Sequence, residues 1–466
     1  MAKIRLQYIC QNCGEIFAKW TGKCDSCHEW NTITEDNVKT KIDQRANKKI
    51  KRGCSVPLVM LSEEPIVEES RIQTHISELD RVTGGGFVRG SVILVGGDPG
   101  IGKSTLLMQV AASLSYKKYR IIYISGEEAI GQIRLRAKRL KTIDSNVKIA
   151  IETNVEDILA TLSDNEKPDL VIIDSIQTLW NQTAESSPGT VIQVRTSVQE
   201  MIYYAKTNNV SMVLVGHVTK EGQIAGPRVI EHMVDAVLYF EGGTNNTQYD
   251  YRILRSVKNR FGPTDEIGVF EMSDKGLQEV LDPSMIFLSN RDFISPGAAV
   301  FAGIEGTRAL LVEIQSLVVP TSLGMPRRTV VGWDSSRLAM ILAVLEARCN
   351  IKLGSYDVHL NVAGGYRISE PAADIAVAAA LISSIRSIPL PSDCVYFGEV
   401  SLSGSVRSVG HTQQRLKEAE KIGFLSGVFP ESAKGSCKYG IIKSQYISNI
   451  HNLVTYITNL QDMGKQ

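Results

Sequence analysis

The residues Gly97, Asp98, Pro99, Gly100, Ile101, Gly102, Lys103, Ser104 and Thr105 combine what phosphate chemistry needs. Glycines let backbone N–H groups approach an anion closely and supply positive φ without strain. The Lys103 ammonium can reach the β- and γ-phosphates of a nucleotide, and the Ser104 hydroxyl suits Mg²⁺. The stretch fits the P-loop pattern, a glycine and four residues followed by Gly-Lys-Ser, with nothing missing. An ordinary glycine turn before a helix is the competing reading. The expectation is ATP binding and hydrolysis with Mg²⁺.

Downstream carboxylates extend the set. Asp174 closes the apolar run Leu170-Val171-Ile172-Ile173. An acid at the end of a buried strand fits the second nucleotide motif, where it holds Mg²⁺. Glu127 and Glu128 follow the apolar stretch Ile121–Ser125, and a carboxylate there could polarise the attacking water. Glu127 is the first candidate and Glu128 the second. An acid pair also suits the positive end of a helix.

A second chemistry lies near the N-terminus. Cys10 and Cys13 form one Cys-x-x-Cys knuckle, and Cys24 and Cys27 form another. Four thiolates at this spacing can surround Zn²⁺ tetrahedrally, with buried structural cysteines or a redox pair as the alternative. His28 adjoins Cys27, but four thiolates already close a site. So small a segment buries little core, so the metal would supply much of its folding free energy. Cys54, Cys349, Cys394 and Cys437 stand alone and read as structural.

These groups need elements to hold them. Val92–Val95 reads as a buried strand entering the glycine loop, and Leu106, Leu107, Val110 and Ala111 recur at helical spacing after it. Strand and helix then alternate: strands at Ile121–Ser125, Val147–Ile151, Leu170–Asp174 and Val213–Val218, helices at Ala129–Leu140, after Asn154, and at Val191–Ala205. The alternation predicts an α/β core with a mostly parallel sheet covered on both faces. The expected division is a zinc finger at 1–36, a basic linker at 37–60, the ATPase at 61–283 and a C-terminal α+β domain at 284–466. Val38–Arg52 is rich in lysine and arginine with only Asp43 opposing, which reads as a solvated linker or an arm contacting phosphates.

The 466 residues allow about three domains. A net charge of +1 excludes a global polyelectrolyte, so any nucleic-acid surface must be local. No apolar run approaches a membrane span and Met1–Gln7 lacks a signal-peptide core, so a cytoplasmic protein with no membrane partner is expected.

Gly96–Thr105, Ser125-Gly126-Glu127-Glu128, Ile173-Asp174-Ser175 and Val257-Lys258-Asn259-Arg260-Phe261-Gly262 together resemble the bacterial RadA (Sms) family of DNA repair proteins. Lys258, Asn259, Arg260, Phe261 and Gly262 match the signature of that family. The resemblance covers nearly the whole chain and implies a core like RecA and the ring helicases. It aligns Glu127 with the water-activating glutamate. It implies that Lys258 and Arg260 reach the γ-phosphate of a neighbouring subunit, which requires a homo-oligomer, a hexameric ring. A cation supplied in trans can be worth about 10³–10⁵ in rate. The resemblance also places Asn181–Thr190 and Thr219–Arg228 at a DNA channel, with Lys220 and Arg228 as phosphate contacts, and His217 near the γ-phosphate. It implies single-stranded or branched DNA and a RecA-type recombinase as partners.

The C-terminal region resembles the Lon protease domain. A hairpin at Gly297–Ile304 and Ala309–Val319 precedes helices at Ser336–Cys349, Pro371–Ile385 and Gln413–Ile422. Lon needs a nucleophilic serine and a lysine that takes its proton. In the matching stretches these positions fall on Ala372 and Gln413, with Ser369 and Lys417 nearby, which predicts a non-proteolytic scaffold. Arg327, Arg328, Arg407 and Arg415 read as surface charges or DNA contacts. The composite expectation is a Zn²⁺-containing, DNA-dependent ring ATPase promoting branch migration or strand-exchange extension. A nucleotide-gated, recombinase-binding scaffold and an ATP-dependent serine protease are the alternatives.

Overall fold

The apolar runs of the core alternate between two faces of one sheet. Ile93, Val95, Tyr123, Ile172 and Val213 enter one cluster with the P-loop helix residues Leu106, Leu107, Val110 and Leu114. Leu94, Ile122, Ile124, Val171, Ile173 and Leu214 enter another, with Ile158, Leu162, Val194, Val198 and Met201 from the helices opposite. Successive side chains of a strand point to opposite faces, so unbroken apolar runs require cover on both.

The computed structural model describes residues 7–10, 16–17, 19–25, 30, 32–36, 71–164, 166–217, 229–242, 251–264, 266–288, 295–321, 325–434 and 442–463. The expected linker at 37–60, Cys13, Cys27, His28, Lys220 and Arg228 lie outside the described residues. Contacts divide the chain into two units, Met1–Glu241 with Arg252–Glu279, and Gly242–Tyr251 with Val280–Gln466.

In the first unit, β1 (Gln7–Cys10), β2 (Ile16–Phe17) and β3 (Ile33–Asp36) form a small antiparallel sheet, order β2-β1-β3. β4 (Arg71–Ile72), α1 (Ser77–Thr83) and β5 (Phe87–Val88) lead into β6 (Val92–Gly97) and the P-loop helix α2 (Lys103–Tyr116). There follow β7 (Ile121–Ser125), α3 (Ile130–Arg139), β8 (Lys148–Ile151), α4 (Val155–Asp164), β9 (Leu170–Asp174), α5 (Val191–Asn208), β10 (Ser211–Val215) and α6 (Val229–Met233). β11 (Ala236–Gly242), β12 (Tyr251–Asn259), β13 (Ile267–Ser273) and β14 (Gly276–Glu279) complete a nine-stranded sheet, order β14-β13-β12-β11-β6-β10-β9-β7-β8. The six strands from β11 to β8 run parallel. The register aligns Ser125 with Asp174, Asp174 with Val215 and Gly97 with Phe240, so the carboxyl ends of these strands share one edge.

The second unit holds a seven-stranded sheet. Its elements are α7 (Ser284–Phe287), β15 (Ala298–Glu305), β16 (Arg308–Pro320), β17 (Arg328–Val331), α8 (Ser335–Cys349), β18 (Tyr356–Val362), α9 (Asp374–Arg386), β19 (Cys394–Tyr396), β20 (Glu399–Val400), β21 (Val406–Arg407), α10 (Thr412–Ile422), β22 (Ser426–Pro430), β23 (Lys443–Ile447) and α11 (Ile450–Met463). The order is β17-β18-β16-β15-β19-β22-β23, with the expected hairpin as β15 and β16. The alanine-rich run becomes α9, buried from Asp374 to Ser383, because small side chains let a helix lie close on a sheet. No helix among the described residues is long and apolar enough to cross a membrane.

Candidate active site

The P-loop leaves β6 at Gly97, whose φ of 152° suits glycine. A Cβ there would stand 2.5 Å from the Phe240 carbonyl oxygen, so only glycine lets the loop pass β11. Gly102, φ 117°, begins α2 without a side-chain cap, and the first turn carries no acid. The leading N–H groups of α2 are therefore left for an anion. Asp98, Pro99 and Gly100 are exposed on the loop, and Ile101 turns inward. Lys103 is buried and donates from Nζ to the carbonyls of Gly97 at 2.6 Å and Asp98 at 2.9 Å. Burial pulls its pKa below the ordinary lysine value, against the opposing charges of Asp174, Asp98 and Glu127.

The strand ends beside it carry the carboxylates. Asp174 is buried, and its Oδ2 accepts from the Tyr123 hydroxyl at 2.5 Å. Burial and the Asp174 charge hold that phenol well above its usual pKa. Glu127 Oε1 accepts from Ser175 Oγ and lies 3.0 Å from His217 Nε2. Burial pushes the Glu127 carboxyl up, but the hydrogen bonds from Ser175 and His217 and the charges of His217 and Lys103 outweigh it, so the net shift is down. Glu128 instead pairs with Arg136, one helix turn and more away on α3. Lys103, Asp174, Glu127 and His217 thus meet at one sheet edge, drawn from β6–α2, β9, and the ends of β7 and β10. The Ser104 hydroxyl and the Asp174 carboxylate are hard oxygen donors of the kind Mg²⁺ takes. Sequence reading assigned no site role to Ser175, Tyr123 or Arg136. Ser175 and Tyr123 could have been found from their places, one beyond Asp174 and two before Ser125.

The signature stretch lies elsewhere. Arg260 N–H donates to the Asp235 carbonyl, and its Nη1 lies 3.3 Å from Asp235 Oδ1. Asp235 in turn bonds Val92, its carboxylate accepting from the Val92 N–H and its own N–H donating to the Val92 carbonyl. Val92 opens β6 and Gly97 ends it, a separation of about 16 Å at the rise of a strand. Lys258 and Arg260 therefore stand at the opposite end of the sheet from the P-loop of their own chain. Lys258 Nζ donates to the carbonyls of Glu231, His232 and Val234 where α6 ends, at 2.7, 3.1 and 2.7 Å. Burial and the neighbouring Arg260 charge pull it below the usual lysine value. Asn259 and Phe261 pin the turn after α1: Asn259 Nδ2 donates to the Thr83 carbonyl, and Arg71 donates to the Phe261 carbonyl at 2.5 Å. A Cβ on Gly262 would stand 2.9 Å from Gly84 Cα.

In the N-terminal sheet Cys10 and Cys24 are fully buried together with Ile33. Two thiols gathered under a sheet too small for a core fit the soft donor set of Zn²⁺.

In the second unit Ala372 is buried in the turn Pro371–Ala373, and its carbonyl accepts the Gly398 N–H at 2.7 Å. An arginine fork grips each flank. Arg337 donates from Nε and Nη2 to the two oxygens of the fully buried Asp374, at 2.6 and 2.7 Å. Arg415 is 1% exposed and bonds both oxygens of Glu370 and the Ala302 carbonyl. The expectation of Arg415 as a surface charge is thereby corrected, since Glu370 and a carbonyl neutralise it inside the domain. Gln413 and Lys417 line a cavity of about 660 Å³ with Ser408 and His411. Ser369 lines a different one beside Arg337 and Arg367.

Together the fold and site define a P-loop ATPase joined to a metal-ribbon segment and a Lon-type domain. Family models agree: an AAA domain matches residues 57–223, a rubredoxin metal binding domain 8–35, and a Lon protease (S16) C-terminal proteolytic domain 340–441. Among curated proteins, "DNA repair protein RadA" of Brucella abortus (strain 2308) is 65% identical over 439 residues, 93% of each chain. The RadA proteins of Rickettsia typhi (strain ATCC VR-144 / Wilmington), at 51% over 91% of this chain and 93% of that one, and of Bacillus subtilis (strain 168), at 48% over 92% and 93%, are similar along the same length. The chain belongs to the RadA family of DNA repair proteins.

Proposed function

We propose that this protein is a DNA-dependent ATPase of recombinational repair, working as a ring, hexameric by the family resemblance, that drives branch migration or strand-exchange extension. The observation that carries the ATPase is the meeting of Lys103, Asp174, Glu127 and His217 at the carboxyl edge of the sheet. The P-loop N–H groups and Lys103 bind the β- and γ-phosphates of ATP. Ser104 and Asp174 would hold Mg²⁺, which would supply positive charge against the phosphates. Glu127 takes the proton of the attacking water as its oxygen bonds the γ-phosphorus and the bridging bond to ADP breaks. Glu128 does not serve this step, being paired with Arg136. Cys10, Cys13, Cys24 and Cys27 would hold Zn²⁺ as a structural ion.

The ring reading is supported by the place of Lys258 and Arg260, too far from their own P-loop to touch its nucleotide; to serve a neighbour's, Lys258 must leave the carbonyls of Glu231, His232 and Val234, and Arg260 its pairing with Asp235. DNA enters from the names of the relatives and from the family resemblance of the stretch Thr219–Arg228, with Lys220 and Arg228 as its phosphate contacts. A RecA-type recombinase is the protein partner that the family resemblance implies.

The test is ATP turnover with and without single-stranded DNA, for the wild type, Lys103→Ala and Arg260→Ala. Both variants should lose DNA-stimulated turnover. Mixing them should restore part of it, because an Arg260→Ala subunit keeps its P-loop and borrows the arginine of a Lys103→Ala neighbour. No stimulation at any salt concentration would leave the scaffold reading, since phosphate contacts strengthen as salt falls.

A further inference from the structure

The N-terminal sheet exposes an aromatic pair that the ATPase does not use. Trp20 is 57% exposed and Trp30 67%. In a segment with so little core, two open indoles are costly unless they meet something. The Trp20 ring and the Trp30 backbone are also held in place. Trp20 Nε1–H donates to the Ile33 carbonyl at 3.0 Å, which fixes the ring by its edge. Trp30 pairs with Lys23 across an isolated β-bridge, next to the buried Cys24. Gly22 sits between the two rings. A Cβ there would lie 3.8 Å from an edge atom of each indole, so both rings flank one point and the glycine keeps it clear.

Two lysines lie by the pair. Lys23 Nζ lies 5.8 Å from the Trp30 ring centroid, within cation–π range, and Lys19 is exposed beside Trp20. In sequence, β3 ends in Glu35 and Asp36 and is followed by Lys39, Lys41, Arg45, Lys48, Lys49, Lys51 and Arg52, with Asp43 the one acid between Val38 and Arg52. Exposed flat π faces, with Lys23 over one side of Trp30 and the other left for a base, match unpaired bases on a phosphate backbone, because every base has a face to stack.

We propose that Trp20 and Trp30 form a stacking platform for the bases of single-stranded DNA, with Lys19 and Lys23 on its phosphates. The inference rests on the DNA-directed reading above and names a contact for it. The platform reads no sequence, since stacking tolerates any base. Rigid indoles lose little freedom on binding, which suits a short segment making few contacts.

The experiment uses the full-length protein, its zinc content measured, and a fluorescent oligo(dT) strand followed by anisotropy across salt concentrations. The Trp20→Leu/Trp30→Leu protein should bind about tenfold to a hundredfold more weakly at every salt concentration, with the log–log salt slope unchanged. The Trp20→Phe/Trp30→Phe protein should stay within a few-fold of wild type, because phenylalanine still stacks. Lys19→Gln/Lys23→Gln should instead flatten the slope. Equal affinity of the leucine and wild-type proteins, at equal zinc content, overturns the platform and leaves the DNA-directed reading standing. Equal DNA affinity combined with lost binding to a recombinase filament overturns it in favour of a protein surface. A wild-type protein that binds no oligo(dT) even at low salt sinks the DNA-directed reading and the platform with it.

Discussion

The carboxyl edge of the first sheet and the Pro371–Ala373 turn of the second unit are both places where the sequence aligns with an enzyme's reacting groups, and they are built in opposite ways. At the first, charged groups converge and stay short of full mutual satisfaction. Lys103 leans on two backbone carbonyls that a phosphate can replace, and α2 opens with uncapped N–H groups. At the second, each charge is answered inside the domain. Glu370 and Asp374, on either side of Ala372, are each gripped by an arginine. A site that must bind a charged ligand keeps polar groups poised at a cost in stability; a turn that only supports a fold is neutralised.

The largest effects should separate the glutamates of the first site. Glu127→Gln should lower ATP turnover about 10²–10⁴-fold with nucleotide binding retained, the usual range for loss of a general base. Glu128→Gln, which breaks a pair with Arg136 near the surface, should stay within about fivefold. Single-turnover hydrolysis beside nucleotide binding reads both. A Glu128→Gln protein as impaired as Glu127→Gln would mean that the Arg136 pair opens during the cycle and that the geometry of Glu127 is not the active one.

Next in size is Arg337→Ala. It leaves the fully buried Asp374 without its fork and should cost about 3–5 kcal/mol of unfolding free energy in the second unit. Burial already raises the Asp374 pKa, against the hydrogen bonds of Arg337 and the Val400 N–H. The folded state therefore binds this proton more readily than the unfolded one. Stability from the group is full below the unfolded value, about 3.9, and falls as pH rises through the folded value. Removing Arg337 raises the folded value further, so the penalty should be complete at neutral pH and shrink towards pH 4. Urea unfolding at a series of pH values measures it, and a penalty independent of pH would show that Arg337 acts by packing alone.

The two regions also differed in how legible they were. The P-loop, the strand ends at Asp174 and Ser125 and the α/β alternation can be read from the chain because glycine spacing and apolar period are local signals. The isolation of Lys258 and Arg260 from their own P-loop cannot. It depends on Asp235 bonding Val92 across the sheet, a pairing 143 residues apart. Arg415 misled for a related reason. Its helix α10 is strongly charged, and nothing nearby in sequence announces Glu370, 45 residues away, as the partner that buries it. Glu127 and Glu128 look alike in sequence; only the fold gives His217 and Ser175 to one and Arg136 to the other.

The smallest effect should come from trying to turn the second region into the first. In a serine–lysine pair the lysine must stand within about 2.6–3.2 Å of the hydroxyl whose proton it takes. Ala372 is 1% exposed, with its turn tied to Gly398 and held by an arginine fork at either end. Gln413 lines a cavity whose walls do not include that turn. The double change Ala372→Ser with Gln413→Lys restores the residue types, but position 372 stays buried in a turn tied down on both sides. Cleavage of a fluorogenic casein should therefore stay at background with or without ATP, while ATP turnover remains within about twofold of wild type, since neither residue belongs to the set built on the first sheet. Cleavage above background would break the comparison at its base. It would mean that two side chains alone separate this domain from a protease, and that the arginine forks support a working turn instead of replacing one.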